Sequence, residues 1–363
     1  MLFQIQLHFF VCQFTRSYEN TFAFCSLAIA SVFVQVAHAA PLDSLAGGQT
    51  GRIEFNSISP TNMWPYARRN TTDTKPAVVH GDLLLPKNAS AKVPALVVMH
   101  GSAGVEPWAY DLWAARMNAA GVAVFVVDSY KPRGVDNTSS DQLGTAVTVA
   151  GQTADALNAL RILATHPKID AARIFVIGMS RGANAAFYSA WPMYQAPVDT
   201  GGAHFAGHIA AYPGMCNIRY RADANARSTA PIFFALPDRK LEELQDVAVC
   251  ERYARELTAA GSAVTWKEYP GAYHAWDGGA RRFRYANAQG AKPCDMELQM
   301  TDVPGGGVGN GARDLKTGRA IAGFDEWFAL VKGCMAITRV GIGGNPSQSD
   351  ALVADVLSFI NQK

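Results

Sequence analysis

From Lys75 onward, short runs that are apolar at nearly every position recur along the chain. Val93–Met99 (VPALVVM), Val122–Val127 (VAVFVV), Arg173–Ile177 (RIFVI) and Ile232–Leu236 (IFFAL) are of this kind, and Ala263–Tyr269 (AVTWKEY) is more mixed. A strand with one wet face alternates apolar and polar side chains. A strand buried on both faces does not, so these runs predict central parallel strands. Segments of helical length separate them: Trp108–Ala120, Ser140–Thr165, Gly182–Ala190 and Leu244–Ala260. The longest, Ser140–Thr165, puts Leu157, Leu160, Leu163 and Ala164 on one face, and the capping-box spacing Ser139-x-x-Gln142 predicts its start. Ala351–Ile360 reads as a terminal helix packed on the sheet. This alternation predicts a mostly parallel, doubly wound α/β sheet flanked by helices, with ligands at the carboxyl ends of the strands. The Gly-rich stretch Val303–Gly311 follows the last strand-like run and reads as a flexible loop inside a late insertion.

The first forty residues carry a different pattern. Thr21–Ala37 is an apolar run of 17 residues between Arg16 and His38-Ala39-Ala40. A short apolar core ending in small residues at A-x-A spacing predicts an export signal over residues 1–39, cleaved after Ala39 or Ala40. The competing reading is a membrane anchor, for which 17 residues interrupted by Ser and Gln are short. The expectation is therefore a periplasmic or secreted protein with no stable membrane insertion, its mature part a single domain over 45–363 with an insertion at 278–318. Hydrophobic residues make up 49% and charged residues 17% of the 363, which excludes a disordered chain. A net charge of +2 without dense Lys/Arg runs gives no phosphate-tracking surface, so no nucleic-acid partner is expected.

Cys12 and Cys25 fall in the leader, leaving Cys216, Cys250, Cys294 and Cys334. An even number in an oxidising compartment predicts two disulfides. Cys216 follows a strand-end loop and Cys250 lies on the helix after the next strand, which pairs them on one rim. Cys294 and Cys334 flank the insertion and would close it. None stands in C-x-x-C spacing, so no metal site is expected.

Three segments carry candidate chemistry. Gly178-Met179-Ser180-Arg181-Gly182 joins the strand Arg173–Ile177 to a small-residue helix, the context a nucleophile elbow requires. His100-Gly101-Ser102-Ala103-Gly104 ends the strand Val93–Met99. An oxyanion-binding loop belongs there, its backbone N–H coming from Ser102 or Ala103 and the second from Arg181. Tyr269–Asp277 (YPGAYHAWD) follows the last strand-like run. Of the eight histidines, only His274 lies downstream of Ser180 at the tip of a late strand.

Together with Asp128–Gly134 (DSYKPRG), these motifs resemble the dienelactone hydrolase family of α/β-hydrolases, from about Gly51 to Lys363 with Gly278–Gly318 outside the family's minimal core. The prototype uses Cys where this chain has Ser180. The resemblance implies Ser180 as nucleophile, His274 as base, an ester or lactone as the small-molecule substrate, and no cofactor. It suggests that Arg133 binds a substrate carboxylate and that Tyr130 lines the pocket or simply packs. The chain order Ser…Asp/Glu…His puts the triad acid between Ser180 and His274. Asp238, at the tip of Ile232–Leu236, is the first choice, and a count back from Cys250 favours Glu242 or Glu243 instead. A peptidase or acyltransferase on the same fold, or a binding protein without catalysis, are the competing functions.

Overall fold

The computed structural model describes residues 3–17, 20–34, 40–67, 73–87, 91–143, 147–221, 227–279, 281–298, 312–322 and 324–362. Phe3–Ser17 and Asn20–Val34 pair as an antiparallel hairpin in a unit of their own, Met1–Ala40; Pro41–Lys363 form the second unit.

Eight strands of the second unit make one sheet: β1 (Gly51–Pro60), β2 (Thr74–Leu84), β3 (Val93–Met99), β4 (Ala123–Asp128), β5 (Ile169–Met179), β6 (Gly207–Ala211), β7 (Ile232–Leu236) and β8 (Val264–Glu268). Their order is β1-β2-β4-β3-β5-β6-β7-β8. β2 runs antiparallel to β1 and β4, and every other pairing is parallel. The chain winds from β3 outward to β4, then returns across β3 to β5 and winds the other way. That reversal opens a crevice at the carboxyl tips of β3 and β5, where Met99 is in register with Gly178. The strand order and flanking helices are those of an α/β-hydrolase.

Burial on both faces explains the unbroken apolar runs. Val97, Met99, Phe125 and Val176 pack against Leu157 and Leu160 of α1 (Val149–Leu163). Leu96, Val98, Val124 and Ile177 point the other way, toward Trp113, Met117 and Val356 of α5 (Pro346–Asn361). Between them in sequence lie α2 (Arg181–Tyr188), α3 (Val247–Ala259) and α4 (Phe324–Cys334).

Several boundaries differ from the sequence expectation. α1 starts at Val149 rather than Ser140, because Thr148, with extended backbone, accepts from the Gly151 amide at 3.1 Å and is the true cap. Ser139 is in a turn of its own, its amide donating to Asn137 Oδ1 at 2.7 Å, so the capping-box spacing there is coincidental. Trp108–Ala120 resolves into a π-helical turn, Ala109–Ala114, followed by Ala115–Ala119. The strand pattern also continues past β8. Phe283–Gly290 pairs antiparallel with Ala336–Ile342, and Met296–Leu298 lies parallel to Ile218–Tyr220. Where it is described, the late insertion is thus a structured wall; Val303–Gly311 lies outside the described residues. Cys216 is bonded to Cys250, and Cys294 to Cys334, the pairing expected from their places in the chain.

Candidate active site

Ser180 stands between β5 and α2 with φ 53° and ψ −113°, a region an L-residue adopts only at a cost. The neighbouring glycines show why the turn is possible. A Cβ on Gly178 would come within 2.0 Å of Gly182 O, and one on Gly182 within 2.3 Å of Met99 O and 2.5 Å of His100 O. These approaches are backbone to backbone, with no side chain free to yield. Strand, turn and helix therefore close on each other only with glycine at both positions, and the closure lifts Ser180 to the crevice.

His274 faces Ser180 from the loop after β8. Its Nε2 is 2.9 Å from Ser180 Oγ, and its Nδ1 is 3.0 Å from Glu242 Oε2. The carboxylate can only accept, so Nδ1 carries a proton and Nε2 is left to accept from the serine hydroxyl. His274 and Glu242 are both buried. The second oxygen of Glu242 accepts the Leu244 amide at 2.7 Å, and Lys292 Nζ donates to the Glu242 carbonyl. The His274 carbonyl accepts from Gly343 at 3.1 Å, and the Tyr212 ring packs edge-on to the imidazole at 4.9 Å. Tyr212 is itself held by Asp277, which accepts from its hydroxyl at 2.6 Å and from Trp113 Nε1 at 2.8 Å. Burial pushes the Asp277 carboxyl up. Asp277 was not singled out in the sequence, although it stands three residues after His274.

The first-choice acid is corrected here. Asp238 does stand just beyond the tip of β7, but its Oδ2 accepts the Gly271 amide at 2.8 Å and its Oδ1 the Lys240 amide at 2.8 Å. Those amides, Gly271 foremost, hold its carboxyl below the ordinary range. Asp238 fastens the turn after β7 to the loop that carries His274, and the chain advances one further turn before Glu242 reaches the imidazole. Glu243 points elsewhere, accepting from Arg284 and from the Gly341 amide, both at 2.8 Å.

The loop after β3 is braced from below. His100 Nε2 accepts the Ser129 amide at 3.1 Å, which leaves Nδ1 to donate to Gly101 O at 2.7 Å. Burial lowers the pKa of this ring and favours the neutral tautomer. Ser102 and Ala103 line the same cavity as Ser180 and His274. Arg181 occupies the first position of α2, where a backbone N–H has no intrahelical acceptor. Its buried side chain donates to Gln142 O and Oε1 (2.8 and 2.9 Å) and to Val147 O (2.7 Å), with Nε lacking a partner among the described residues. Gln142 in turn donates to Ser102 Oγ at 2.7 Å, so one side chain ties both sides of the crevice.

Arg133 and Tyr130 are the other corrections. All five N–H groups of the Arg133 guanidinium are engaged: Nε with Ser59 Oγ, Nη1 with Ser129 O and Asp155 Oδ2, Nη2 with Ile58 O and Asp155 Oδ1, at 2.7–2.9 Å. It is a buried brace between β1, the loop after β4 and α1, with no donor left for a substrate. Tyr130 is fully buried, hydrogen-bonded to Thr138 Oγ1 at 2.8 Å and packed on His100. It supports the loop after β3 and does not line the cavity.

The family model for dienelactone hydrolases matches residues 79–299, more than half of the chain. The chain belongs to the dienelactone hydrolase family, and is a carboxylic ester hydrolase of that family. No curated protein matches it. Solved structures similar to it include Thermogutta terrifontis esterase 2 with butyrate bound, at 14% identity over 55% of this chain and 80% of that one, TM-score 0.41. Est1E from Butyrivibrio proteoclasticus is similar at 14% identity over 54% and 85%, TM-score 0.39.

Above Ser180 and His274 lies a cavity of about 720 Å³. The loops after β3 and β6 form one side. Phe283–Gly290, α4 and Ala336–Ile342 form the other, so the late insertion and the segment that follows it supply a wall of the site. Among the described residues, no group of His, Cys, Asp or Glu is placed to hold a metal ion.

Proposed function

We propose that the protein is an exported serine hydrolase that cleaves esters or lactones through Ser180, His274 and Glu242 by way of an acyl-enzyme. The observation that carries this reading is the continuous hydrogen-bonded relay from Ser180 Oγ to His274 to Glu242. As Ser180 Oγ attacks the carbonyl carbon, its proton passes to His274 Nε2, and Glu242 holds the ring orientation and stabilises the imidazolium. The carbonyl oxygen becomes an oxyanion facing the backbone N–H of Arg181 and that of Ser102 or Ala103; one such donor is worth about 2.7–4 kcal/mol. His274 then protonates the departing alkoxide. Water, deprotonated by the same imidazole, attacks the acyl-serine, and the acid leaves as Ser180 regains its proton.

Ser180→Ala removes the attacking atom. It should lower ester hydrolysis by about 10⁶ and abolish labelling by a fluorophosphonate, with the circular dichroism spectrum unchanged. Activity within about tenfold of wild type would end the hypothesis, since triad losses are far larger. Export rests on the leader pattern and on the two disulfides, which persist in oxidising compartments. The exported product should begin at Ala40 or Pro41, which amino-terminal sequencing checks.

A further inference from the structure

We infer that the substrate carries a bulky, uncharged apolar group, so that neutral esters of large hydrophobic acids, and not small anionic ones, are what this site selects. The inference rests on the serine-hydrolase reading above. Its grounds are the size, lining and charge of the cavity beside Ser180. At about 720 Å³ the space is in the upper half of the roughly 300–1,000 Å³ typical of pockets for drug-sized ligands. Met63, Tyr188, Met215, Val331, Met335 and Val340 line it. These are thioether, aromatic and branched aliphatic surfaces, which gain by covering an apolar group and, the Tyr188 hydroxyl aside, have no donor for a carboxylate.

The apolar character also runs out to solvent. Phe283 is 48% exposed and Phe328 37% exposed, and both belong to the same lining. Large exposed aromatics at the edge of a cavity are the surface an apolar ligand meets first.

Charge excludes the alternative. Among the described lining residues the charged side chains are Glu106, Arg181 and Arg219. Arg219 is balanced by Asp295 at 2.8 Å and Glu256 at 3.6 Å. Arg181 spends both terminal nitrogens on Gln142 and Val147. Arg133, the residue expected to hold a carboxylate, has every donor committed to Asp155 and its neighbours. A substrate carboxylate would therefore trade its water for a lining whose arginines are already paired or bonded and whose remaining charge, Glu106, is acidic. The neutral donors there, such as the Gln245 amide, do not repay the desolvation of an ion.

The test is the intact chain on nitrophenyl esters from acetate through octanoate and naphthoate, with the glutarate hemi-ester set against hexanoate as its neutral analogue. The kcat/KM for octanoate should exceed that for acetate by about tenfold or more, each added methylene burying apolar surface. The hemi-ester should fall about tenfold or more below hexanoate. Val331→Trp should lower the octanoate-to-acetate ratio of kcat/KM at least about tenfold, since the larger side chain fills space that the long acyl group needs and the short one does not. Met335→Phe should shift the preference the same way, and serves if the tryptophan variant fails to fold. Fluorophosphonate labelling of Ser180 with acetate as the best ester overturns the inference and leaves the hydrolase reading standing. A hemi-ester equal to or better than hexanoate does the same and assigns the carboxylate to the unbonded donors of the lining, Arg219 Nη2 or Gln245 Nε2. No labelling and no turnover of any ester overturns both.

Discussion

Two loops at the carboxyl edge of the sheet hold the reacting groups, and different forces shape them. The turn that carries Ser180 is fixed by backbone sterics: Gly178 lets it close on Gly182, and Gly182 lets it close on Met99 and His100, at distances a Cβ forbids. The loop that carries Glu242 is fixed by distant partners. Lys292 donates to Glu242 O, and the Lys292 amide to Leu244 O at 2.8 Å. Arg284 and Gly341 hold Glu243, Asn217 Oδ1 accepts the Asp246 amide at 2.9 Å, and Cys216 is bonded to Cys250 just beyond. One turn depends on glycine at two positions, where its backbone meets itself and the end of β3, and the other on side-chain and backbone partners from strands and helices up to about a hundred residues away. A catalytic geometry can thus be anchored at one end by the chain's own stereochemistry and at the other by the late insertion.

The sharpest break of this contrast is at the carboxylates. Glu242→Gln keeps the shape of the loop but removes the acceptor charge facing His274. It should lower kcat by about 10⁴ with Ser180 intact, as loss of the orienting acid does. Asp238→Asn removes charge from a carboxylate that binds only two amides, and should stay within about tenfold of wild type in kcat while lowering the melting temperature. Steady-state kinetics on one neutral ester separates the two. A 10⁴ loss at Asp238 with none at Glu242 would mean that the loop moves when substrate binds.

The same contrast explains what was legible in the sequence. Val93–Met99 and Ile232–Leu236 match the observed strands end for end, because burial on both faces writes itself as an unbroken apolar run. G-x-S-x-G was legible because its constraint shows in residue type: only glycine fits on either side of the serine turn. The acid was not: Asp238 and Glu242 are four residues apart, and what decides between them is the Gly271 amide on one and His274 on the other, both about thirty residues downstream. Arg133 misled for a related reason. A guanidinium at a strand tip looks like an anion site until Asp155, 22 residues on, is seen to occupy it. β1 and β2 escaped notice because they are antiparallel and partly wet. Their trace was the alternation of Ile53, Phe55 and Ser57, which are buried in turn.

The disulfides sharpen the comparison from the side of the acid loop. Cys216–Cys250 closes a separation of 34 residues and Cys294–Cys334 one of 40, and each contributes about 4 kcal/mol in the chain-entropy model. Cys216→Ala/Cys250→Ala loosens the segment that follows Glu242, whereas Cys294→Ala/Cys334→Ala loosens the insertion that supplies Lys292 and Arg284. Each pair should lower stability in guanidinium unfolding by about that amount. Both should reduce turnover without changing the rate at which a small fluorophosphonate labels the serine turn more than the relay itself requires. Equal stability with and without reductant would show that the acid loop is held by its hydrogen bonds alone.

Acid should attack the other end. His208 lies in β6 beneath α2, the helix that follows Ser180, with Nδ1 3.0 Å from Ala186 O and 3.1 Å from Ser189 Oγ. It is fully buried, its Nε2 has no partner among the described residues, and burial drops its pKa to about 4. In the unfolded chain the ring titrates near 6.5, so between about 6.5 and about 4 the unfolded state binds more protons than the folded one. Stability therefore rises with pH across that window. The contribution is fully present above about pH 6.5 and is lost as the pH falls toward 4, about 3 kcal/mol in all. His100, lowered by the same burial, pulls in the same direction, and Asp277, raised by burial, pulls against it. The difference between wild type and His208→Gln isolates the one ring. Denaturant unfolding of both from pH 7 to pH 4 should show the variant losing about 3 kcal/mol less than wild type. Parallel curves would mean that His208 gains a proton partner on acidification and that the support beneath α2 is not the acid-sensitive element.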